Sequence, residues 1–183
     1  MIDNRSLNAL AHEFGTPLYV YEKEKIEEKV SKLQNAFQNM PSRFFYACKA
    51  LSNINILKTI AKTGIGLDTV SINEVKMGLR AGFAAENILF TPNCVAFHEI
   101  AAAKELGIHI NIDNISILEQ FGNAFGNSYP VMIRLNPHIM AGGNYKISTG
   151  HIDSKFGISI HQMRHIERVV KTTNLKVEYM FWN

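Results

Sequence analysis

The stretch RFFYACKALSNINILKTIAKTGIGLDTV, residues 43–70, decides the fold because it contains two short apolar runs with a helical segment between them. Apolar residues recur at helical spacing from Ile54 to Ile60, and Gly64 stands where a glycine often ends a helix. The flanking runs, Arg43–Cys48 and Ile65–Val70, have the length of strands. A strand, a helix and a second strand in this order predict a parallel β/α unit.

The same order of apolar run, loop and helical segment continues along the chain, with Gly82 and Gly107 as further helix ends. The predicted strands are Arg43–Cys48, Ile65–Val70, Asn87–Phe90, Ile108–Ile112 and Val131–Leu135. A helix at Ile160–Val170 and an apolar run at Leu175–Phe181 begin a sixth unit. A closed barrel of eight units takes about 250 residues. We therefore expect an incomplete (β/α)8 TIM-type barrel of about five to six units.

An open, doubly wound sheet is the alternative, since 183 residues could complete one. Its nucleotide-binding fingerprints are missing, because GIGLDT is not G-x-G-x-x-G and no P-loop motif occurs. Residues 1–40 are predicted to form a separate lead-in, with a strand at Pro17–Tyr21 and an amphipathic helix at Glu22–Phe37. Residues 41–183 then form the partial barrel.

The composition is that of a globular protein, with 46% hydrophobic residues and a formal net charge of +3. The basic residues are scattered, so no nucleic-acid partner is expected. No apolar run approaches the roughly 20 residues that span a bilayer, and no signal peptide begins the chain, so neither a membrane nor export is expected and the cytoplasm is predicted. Cys48 and Cys94 are too few for a disulfide framework and are predicted to be reduced, buried thiols.

Lys49 stands out because it is an ammonium at the end of an apolar strand. Alternation places Phe45, Ala47 and Lys49 on one face of the strand. The other face, predicted to lie under the helices, carries the bulkier Phe44, Tyr46 and Cys48. An inward lysine at the carboxyl end of a barrel strand lies where such folds do their chemistry, and burial would lower its pKa and favour nucleophilic attack on a carbonyl. The alternative is a solvated loop lysine after a strand that ends at Cys48.

Linked motifs in order give the chain a resemblance to the fold-type III pyridoxal-phosphate decarboxylases. They are YACKALSN, GLDTVSINEV, AGF, ENILFTPN, INIDN, IRLNPH and KISTGHIDSKFGIS. Within the family the resemblance is strongest to the group whose substrate is meso-2,6-diaminopimelate, and it implies an alanine-racemase-like barrel that binds pyridoxal 5'-phosphate. It also implies that Lys49 is the catalytic lysine that forms the Schiff base with the cofactor and acts in proton transfers. Rival interpretations are a decarboxylase of carboxynorspermidine, ornithine or arginine, or a non-catalytic cofactor-binding or partner-binding relative.

The resemblance extends to other polar residues, each with a structural alternative. Asp68 matches an acidic residue near the cofactor, or else caps the next turn. Glu74 matches a family glutamate, or else complements the dipole of its helix. Arg134 resembles the family's strand arginine near the cofactor; a buried guanidinium is costly unless paired, so a structural ion pair is its alternative.

The stretch from His138 to Gly157 is long, glycine-containing and without apolar periodicity, as in functional loops. The resemblance makes it an active-site loop for the amino-acid substrate, with four polar residues: Lys146, His151, Ser154 and Lys155. No metal site is expected. Ala102 replaces the second histidine of an H-E-x-x-H motif, and His161 and His165 are predicted to be a surface pair.

The sequence departs from the family after residue 175. A family strand ending in G-L-H-x-H-x-G-S corresponds to KVEYMFWN, in which Tyr179 replaces a glycine. The family's glycine-rich phosphate loop, the acidic partner of the pyridine nitrogen and the C-terminal β-domain have no counterpart in the 183 residues. Because the resemblance implies a homodimer that completes each site with that domain, these residues are expected to be part of a longer enzyme.

Overall fold

A computed structural model describes residues 2–139 and 154–182, and the side chains up to Met180. Two helices, α1 (Asn4–Phe14) and α2 (Lys23–Ala36), precede the sheet. Seven parallel strands form it. They are β1 (Phe45–Ala47), β2 (Gly66–Thr69), β3 (Ile88–Phe90), β4 (His109–Ile112), β5 (Val131–Asn136), β6 (Ile158–Ser159) and β7 (Val177–Trp182).

A helix follows each of the first four strands, and another follows β6. These helices are α3 (Ile54–Ala61), α4 (Ile72–Ala81), α5 (Phe97–Glu105), α6 (Ile115–Phe125) and α7 (Met163–Thr173). The predicted strand and helix order is confirmed, and the glycines predicted to end helices, Gly64, Gly82 and Gly107, have φ of +81°, +100° and +72°.

The order of the strands distinguishes the two predicted architectures. β1 to β6 lie side by side in chain order, and β7 pairs with β5. Each helix from α3 to α7 packs on the next, as in the wall of a barrel. A doubly wound sheet would instead reverse its strand order and place helices on both faces. The chain is therefore a partial β/α barrel.

One face of the sheet is covered by these helices and forms the core. Alternate strand residues fill it: Leu67, Ile88, Phe90, Ile110, Ile112, Val131, Ile133 and Leu135 are at most 1% exposed. Tyr46 and Cys48 also pack on this core, which confirms the prediction for their face of β1. The opposite face carries the residues between them, among which are Asp68 and Arg134. The polar groups of the strands thus lie together on the interior side of the barrel wall.

The N-terminal lead-in differs from its prediction. The predicted helix is confirmed as α2, but Pro17–Tyr21 has no regular secondary structure, and Tyr19 is 86% exposed. A single extended segment becomes a strand only when a neighbour completes its hydrogen bonds, and no described strand lies beside this one. The helix α1 was not predicted; the Asp3 carboxylate caps it by accepting from the backbone N–H of Ser6 at 2.8 Å. The domain boundary at residue 40 stays a prediction.

Within the described residues, none of the helices combines the length and apolar character that a membrane span requires.

Candidate functional site

Lys49 lies two residues beyond Ala47, the last residue of β1 that pairs with β2. The strand ends at Ala47, and a 3-10 turn, Cys48–Ala50, carries the lysine. The side chain is exposed, so the predicted burial is wrong for the described chain. The reason is that β1 is the edge strand of the sheet, with no strand on its other side among the described residues. Lys49 nevertheless lies close enough to Asp68 for its charge to lower the pKa of that carboxyl.

Asp68 lies on β2, beside Ala47 of β1 in the register of the sheet. Its carboxylate accepts a hydrogen bond from the hydroxyl of Thr91, which follows β3. Partial burial raises the pKa of Asp68, while the Thr91 hydrogen bond and the charges of Lys49 and Arg134 act in the opposite direction. The structural alternative for Asp68 was a turn cap. That position is held by Ser71, whose hydroxyl accepts from the Glu74 N–H at 3.2 Å.

Glu74 belongs to the start of α4. Its carboxylate accepts from the backbone N–H of Val70 at 2.8 Å, and its own N–H donates to Ser71. This reciprocal arrangement is a form of capping box, since one side-chain oxygen and one carboxylate satisfy backbone donors at a helix start. Glu74 therefore has a structural role. Burial raises the pKa of Cys48 to about 11, with smaller contributions from the charges of Glu74 and Asp68.

Arg134 lies on the interior face of β5 and is half-buried. Burial lowers the pKa of its guanidinium, and the nearby carboxylates of Asp113 and Asp68 raise it. The guanidinium lies 4.7 Å from the centroid of the Phe156 ring. Cations attract aromatic faces at this distance. Arg134 is thus held by opposite charges and by an aromatic ring at the carboxyl edge of the sheet.

Three polar residues that sequence reasoning missed follow β3 and β4. They are Thr91, Asn93 and Asp113. The Nδ2 of Asn93 donates to Asp113 Oδ2 at 2.6 Å, and Asn114 Nδ2 donates to Asp113 Oδ1 at 3.2 Å. Their position in the loops after two parallel strands could have placed them at the functional edge of a barrel, although it does not indicate which residues they contact.

Asn111 is a further interior residue on β4. It is 0% exposed, and neither side-chain polar atom has a hydrogen-bond partner among the described residues.

The predicted loop residues are only partly described. Lys146 and His151 lie outside the described residues. Ser154 accepts at Oγ from the N–H of Phe156 at 3.3 Å, and Lys155 Nζ lies 5.2 Å from the Phe156 ring centroid. Two of the four therefore contact Phe156, whose ring lies against Arg134.

The remaining histidine and cysteine predictions have mixed outcomes. Cys48 is buried as predicted, but Cys94 is exposed, because it lies in the loop after β3 at the open edge. His161 and His165 do not form a pair: His138 contacts His161 edge to face, whereas His165 Nε2 lies 2.9 Å from Glu119 on α6. In the part of the chain that is described, no group of three or more histidine, cysteine, aspartate or glutamate side chains could hold a metal ion.

A separate cleft of about 340 Å³ lies at the opposite, amino ends of the strands. Residues from α2, Arg43, the Gly64–Gly66 turn and Asn87 line it. Its size does not make it the functional site, because the charged groups described above lie at the other end of the sheet.

Comparison with known proteins shows which family the chain resembles. The family model for the pyridoxal-binding domain of pyridoxal-dependent decarboxylases matches residues 23–179. A diaminopimelate decarboxylase of Haemophilus influenzae is 34% identical over 183 residues, covering 97% of this chain and 44% of that protein. One from Methanothermobacter thermautotrophicus is 36% identical over 162 residues, covering 87% of this chain and 38% of that protein.

Solved structures give the same relationship. The crystal structure of diaminopimelate decarboxylase from Helicobacter pylori complexed with L-lysine matches with a TM-score of 0.86 and 30% identity. The match covers 96% of this chain and 46% of that chain. The chain therefore spans less than half the length of the relatives it matches.

Proposed function

The chain belongs to the pyridoxal-dependent decarboxylases, and we propose that it forms the cofactor-binding part of an enzyme that releases CO₂ from meso-2,6-diaminopimelate to give L-lysine. One observation carries the proposal. An accessible amine, Lys49, follows the first strand of a partial barrel within electrostatic reach of Asp68, and Arg134 lies near the same carboxylate. The names of the relatives favour diaminopimelate over ornithine, arginine or carboxynorspermidine as the substrate.

The described residues fit pyridoxal phosphate in the chemistry of their side chains. Lys49 offers a primary amine that solvent reaches. Arg134 offers a guanidinium that suits a phosphate or a carboxylate. When bound, the cofactor supplies an aldehyde that condenses with an amine and a ring that accepts the electrons left when CO₂ departs.

Asp68 provides a carboxyl group near Lys49. Burial raises the pKa of Asp68, whereas the hydrogen bond from Thr91 and the charges of Lys49 and Arg134 lower it. We assign to Asp68 the role of an acidic neighbour of the amine that condenses with the cofactor.

Arg134 has the second role in the proposal. The nearby carboxylates of Asp113 and Asp68 favour the charged form of its guanidinium, which lies 4.7 Å from the centroid of the Phe156 ring. We assign to it the binding of an anionic group of the cofactor or substrate. Lys146, His151, Ser154 and Lys155 are proposed to contact the amino-acid substrate. Further residues of the complete enzyme, which we propose to be a homodimer, supply the other contacts.

Reductive trapping tests the proposal directly. The chain is mixed with pyridoxal phosphate, reduced with borohydride, digested and mapped for the pyridoxyl label. The label is expected on Lys49, with one equivalent bound, and Lys49→Ala should abolish it. Lys62→Ala is the matched control, because Lys62 is an exposed lysine at the end of α3 and should leave the labelling unchanged. A label confined to other lysines contradicts the assignment.

The reaction itself needs a separate measurement. The complete enzyme is assayed for release of CO₂ from four compounds, and the rates are compared: meso-diaminopimelate, ornithine, arginine and carboxynorspermidine. We expect diaminopimelate to be the preferred substrate. A protein that takes the label on Lys49 but releases CO₂ from none of the four is a cofactor-binding protein without this activity.

A further inference from the structure

Asn93 connects three parts of the site that are distant in sequence. Its Nδ2 donates to Asp113 Oδ2 at 2.6 Å, which links the end of β3 to the end of β4. The same nitrogen donates to the backbone carbonyl of Lys155 at 3.2 Å, 62 residues further along the chain. An amide nitrogen carries two hydrogens, so each of the two acceptors receives one.

The orientation of the Asn93 amide is also defined. Its Oδ1 accepts from the Cys94 thiol at 3.4 Å, which directs the oxygen away from Asp113 and Lys155. A flipped amide would place its oxygen against the Asp113 carboxylate and lose both hydrogen bonds. The donor side of Asn93 is therefore required at this position.

The segment Ser154–Gly157 is held from its other side by β5. Gly157 has φ of +81°, and a Cβ there would lie 2.9 Å from the backbone nitrogen of Asn136. Real side chains do not tolerate such a contact with backbone, so Gly157 allows the segment to lie directly on β5. The segment is thus held at two points. The amide of Asn93 binds the carbonyl of Lys155, and Gly157 packs on the backbone of β5.

The position of Phe156 follows from these two anchors. Phe156 lies between Lys155, whose carbonyl Asn93 holds, and Gly157, which lies on β5. Its ring lies 4.7 Å from the guanidinium of Arg134, and Asp113, which Asn93 also holds, raises the pKa of that guanidinium. Asn93 is therefore connected to Arg134 through an aromatic ring and through a carboxylate.

We propose that Asn93 is a positioning residue of this site: its two N–H groups hold Asp113 and the Lys155 carbonyl, and thereby keep Phe156 against Arg134. We call the hydrogen bond from Asn93 to the Lys155 carbonyl the tether; it is a contact within the fold and does not depend on the cofactor. Its consequence for cofactor binding rests on the proposed function, because Arg134 is assigned there to an anionic group. Loss of Asn93 then weakens cofactor binding through the position of Arg134.

Amide hydrogen exchange of the peptide covering residues 154–158 tests the tether without any cofactor. Asn93→Ala is expected to raise exchange in this peptide by about tenfold or more, because one anchor is lost. Peptides from β2 and α4 should exchange as before. Asn123→Ala, an exposed asparagine on α6, is the matched control and should change nothing. Unchanged exchange at 154–158 in Asn93→Ala overturns the proposal.

A double variant separates the tether from the link between strands. In Asn93→Asp with Asp113→Asn, the new amide at 113 can donate to the new carboxylate at 93. The link between β3 and β4 should be restored, so the double variant should melt at a higher temperature than Asn93→Asp alone, in which two carboxylates face each other. A carboxylate cannot donate to the Lys155 carbonyl, so exchange at 154–158 should remain fast. Exchange at the wild-type rate in this variant overturns the proposal, and the variant provides the same test if Asn93→Ala does not fold.

Titration with pyridoxal phosphate, followed by absorbance, tests the consequence for the cofactor. Asn93→Ala should weaken apparent affinity by about tenfold with the label still on Lys49. Wild-type affinity in a variant with fast exchange would contradict the connection to Arg134. A wild-type chain that does not bind the cofactor contradicts the proposed function instead, and the exchange result still decides the tether.

Discussion

The hydroxyl of Thr91 donates a hydrogen bond to the carboxylate of Asp68, so the end of β3 stabilises a charge on β2. Thr91 is 8% exposed, and Asp68 is half-buried. Burial favours the neutral form of Asp68, whereas the hydrogen bond favours its ionised form and so lowers the pKa of the carboxyl. Thr91 thus influences the charge of Asp68, the carboxyl group near Lys49.

Thr91→Val should lower the free energy of unfolding by about 1–3 kcal/mol at neutral pH, because a partly buried carboxylate loses its donor. The substitution also removes an effect that lowers the pKa of Asp68, so that pKa should rise. Urea unfolding and titration of the Asp68 side chain by NMR measure the two effects. The control is Thr172→Val, an exposed threonine on α7 whose hydroxyl donates to the Arg168 carbonyl. Equal effects at both sites would exclude a special role for Thr91.

Asp68→Asn should change how stability depends on pH. The pKa of Asp68 is raised in the folded chain, so its contribution is largest below the unfolded pKa and is lost as pH rises through the folded pKa. The asparagine keeps an acceptor for Thr91 and does not ionise. Melting temperatures measured from pH 4 to pH 8 should therefore favour the variant increasingly as pH rises. A difference that is constant across this range would show that Asp68 ionises normally.

Gly157→Ala should be more destabilising than Gly82→Ala, although both glycines have a positive φ. At Gly82 a Cβ would meet nothing within 4 Å, so only backbone strain of about 1–2 kcal/mol is expected. At Gly157 the Cβ would also lie 2.9 Å from β5 backbone, which adds about 1–3 kcal/mol of overpacking. Chemical denaturation of both variants makes the comparison. Equal losses would show that the segment does not lie directly on β5.

The two cysteines should differ strongly in reactivity. Cys48 is 0% exposed and its pKa is raised to about 11 by burial and by the nearby carboxylates of Glu74 and Asp68, so little thiolate forms at pH 8. Cys94 is exposed in the loop after β3. Alkylation of the native chain followed by peptide mapping should label Cys94 first, and denaturation in urea should remove the difference. Rapid labelling of Cys48 in the folded chain would contradict its burial.

Glu74→Ala should lower the free energy of unfolding by about 0.5–2 kcal/mol through loss of a helix cap. Cofactor binding should remain, because the carboxylate is engaged by the Val70 N–H. Thermal unfolding and titration with pyridoxal phosphate separate the two effects. Unchanged stability with lost binding would assign Glu74 to the site and exclude a structural role.

The architecture could be predicted because parallel β/α units repeat a simple pattern. Alternating apolar residues on the strands and glycines such as Gly82 after the helices fix the order of elements independently of any distant contact. The segment Pro17–Tyr21 shows the limit of this reasoning. Its alternation is typical of a strand, but pairing depends on a neighbour that local sequence does not specify.

Candidate site residues could be predicted when their type is unusual for their position. Examples are Lys49, a lysine after a strand, and Arg134, an arginine within one. Asn93 and Asp113 carried no such contrast, because asparagine and aspartate are ordinary in loops. Their importance depends on contacts across 20 and 62 residues, which no local pattern encodes. The exposure of Lys49 likewise depends on what covers the sheet, and not on the residues beside it.

The turn that carries Lys49 has a mechanical consequence. Because register between β1 and β2 ends at Ala47, the backbone of Lys49 takes no part in the ladder. A change in the conformation of the Lys49 side chain would therefore break no hydrogen bond between β1 and β2, and the two strands could keep their positions when the lysine reacts.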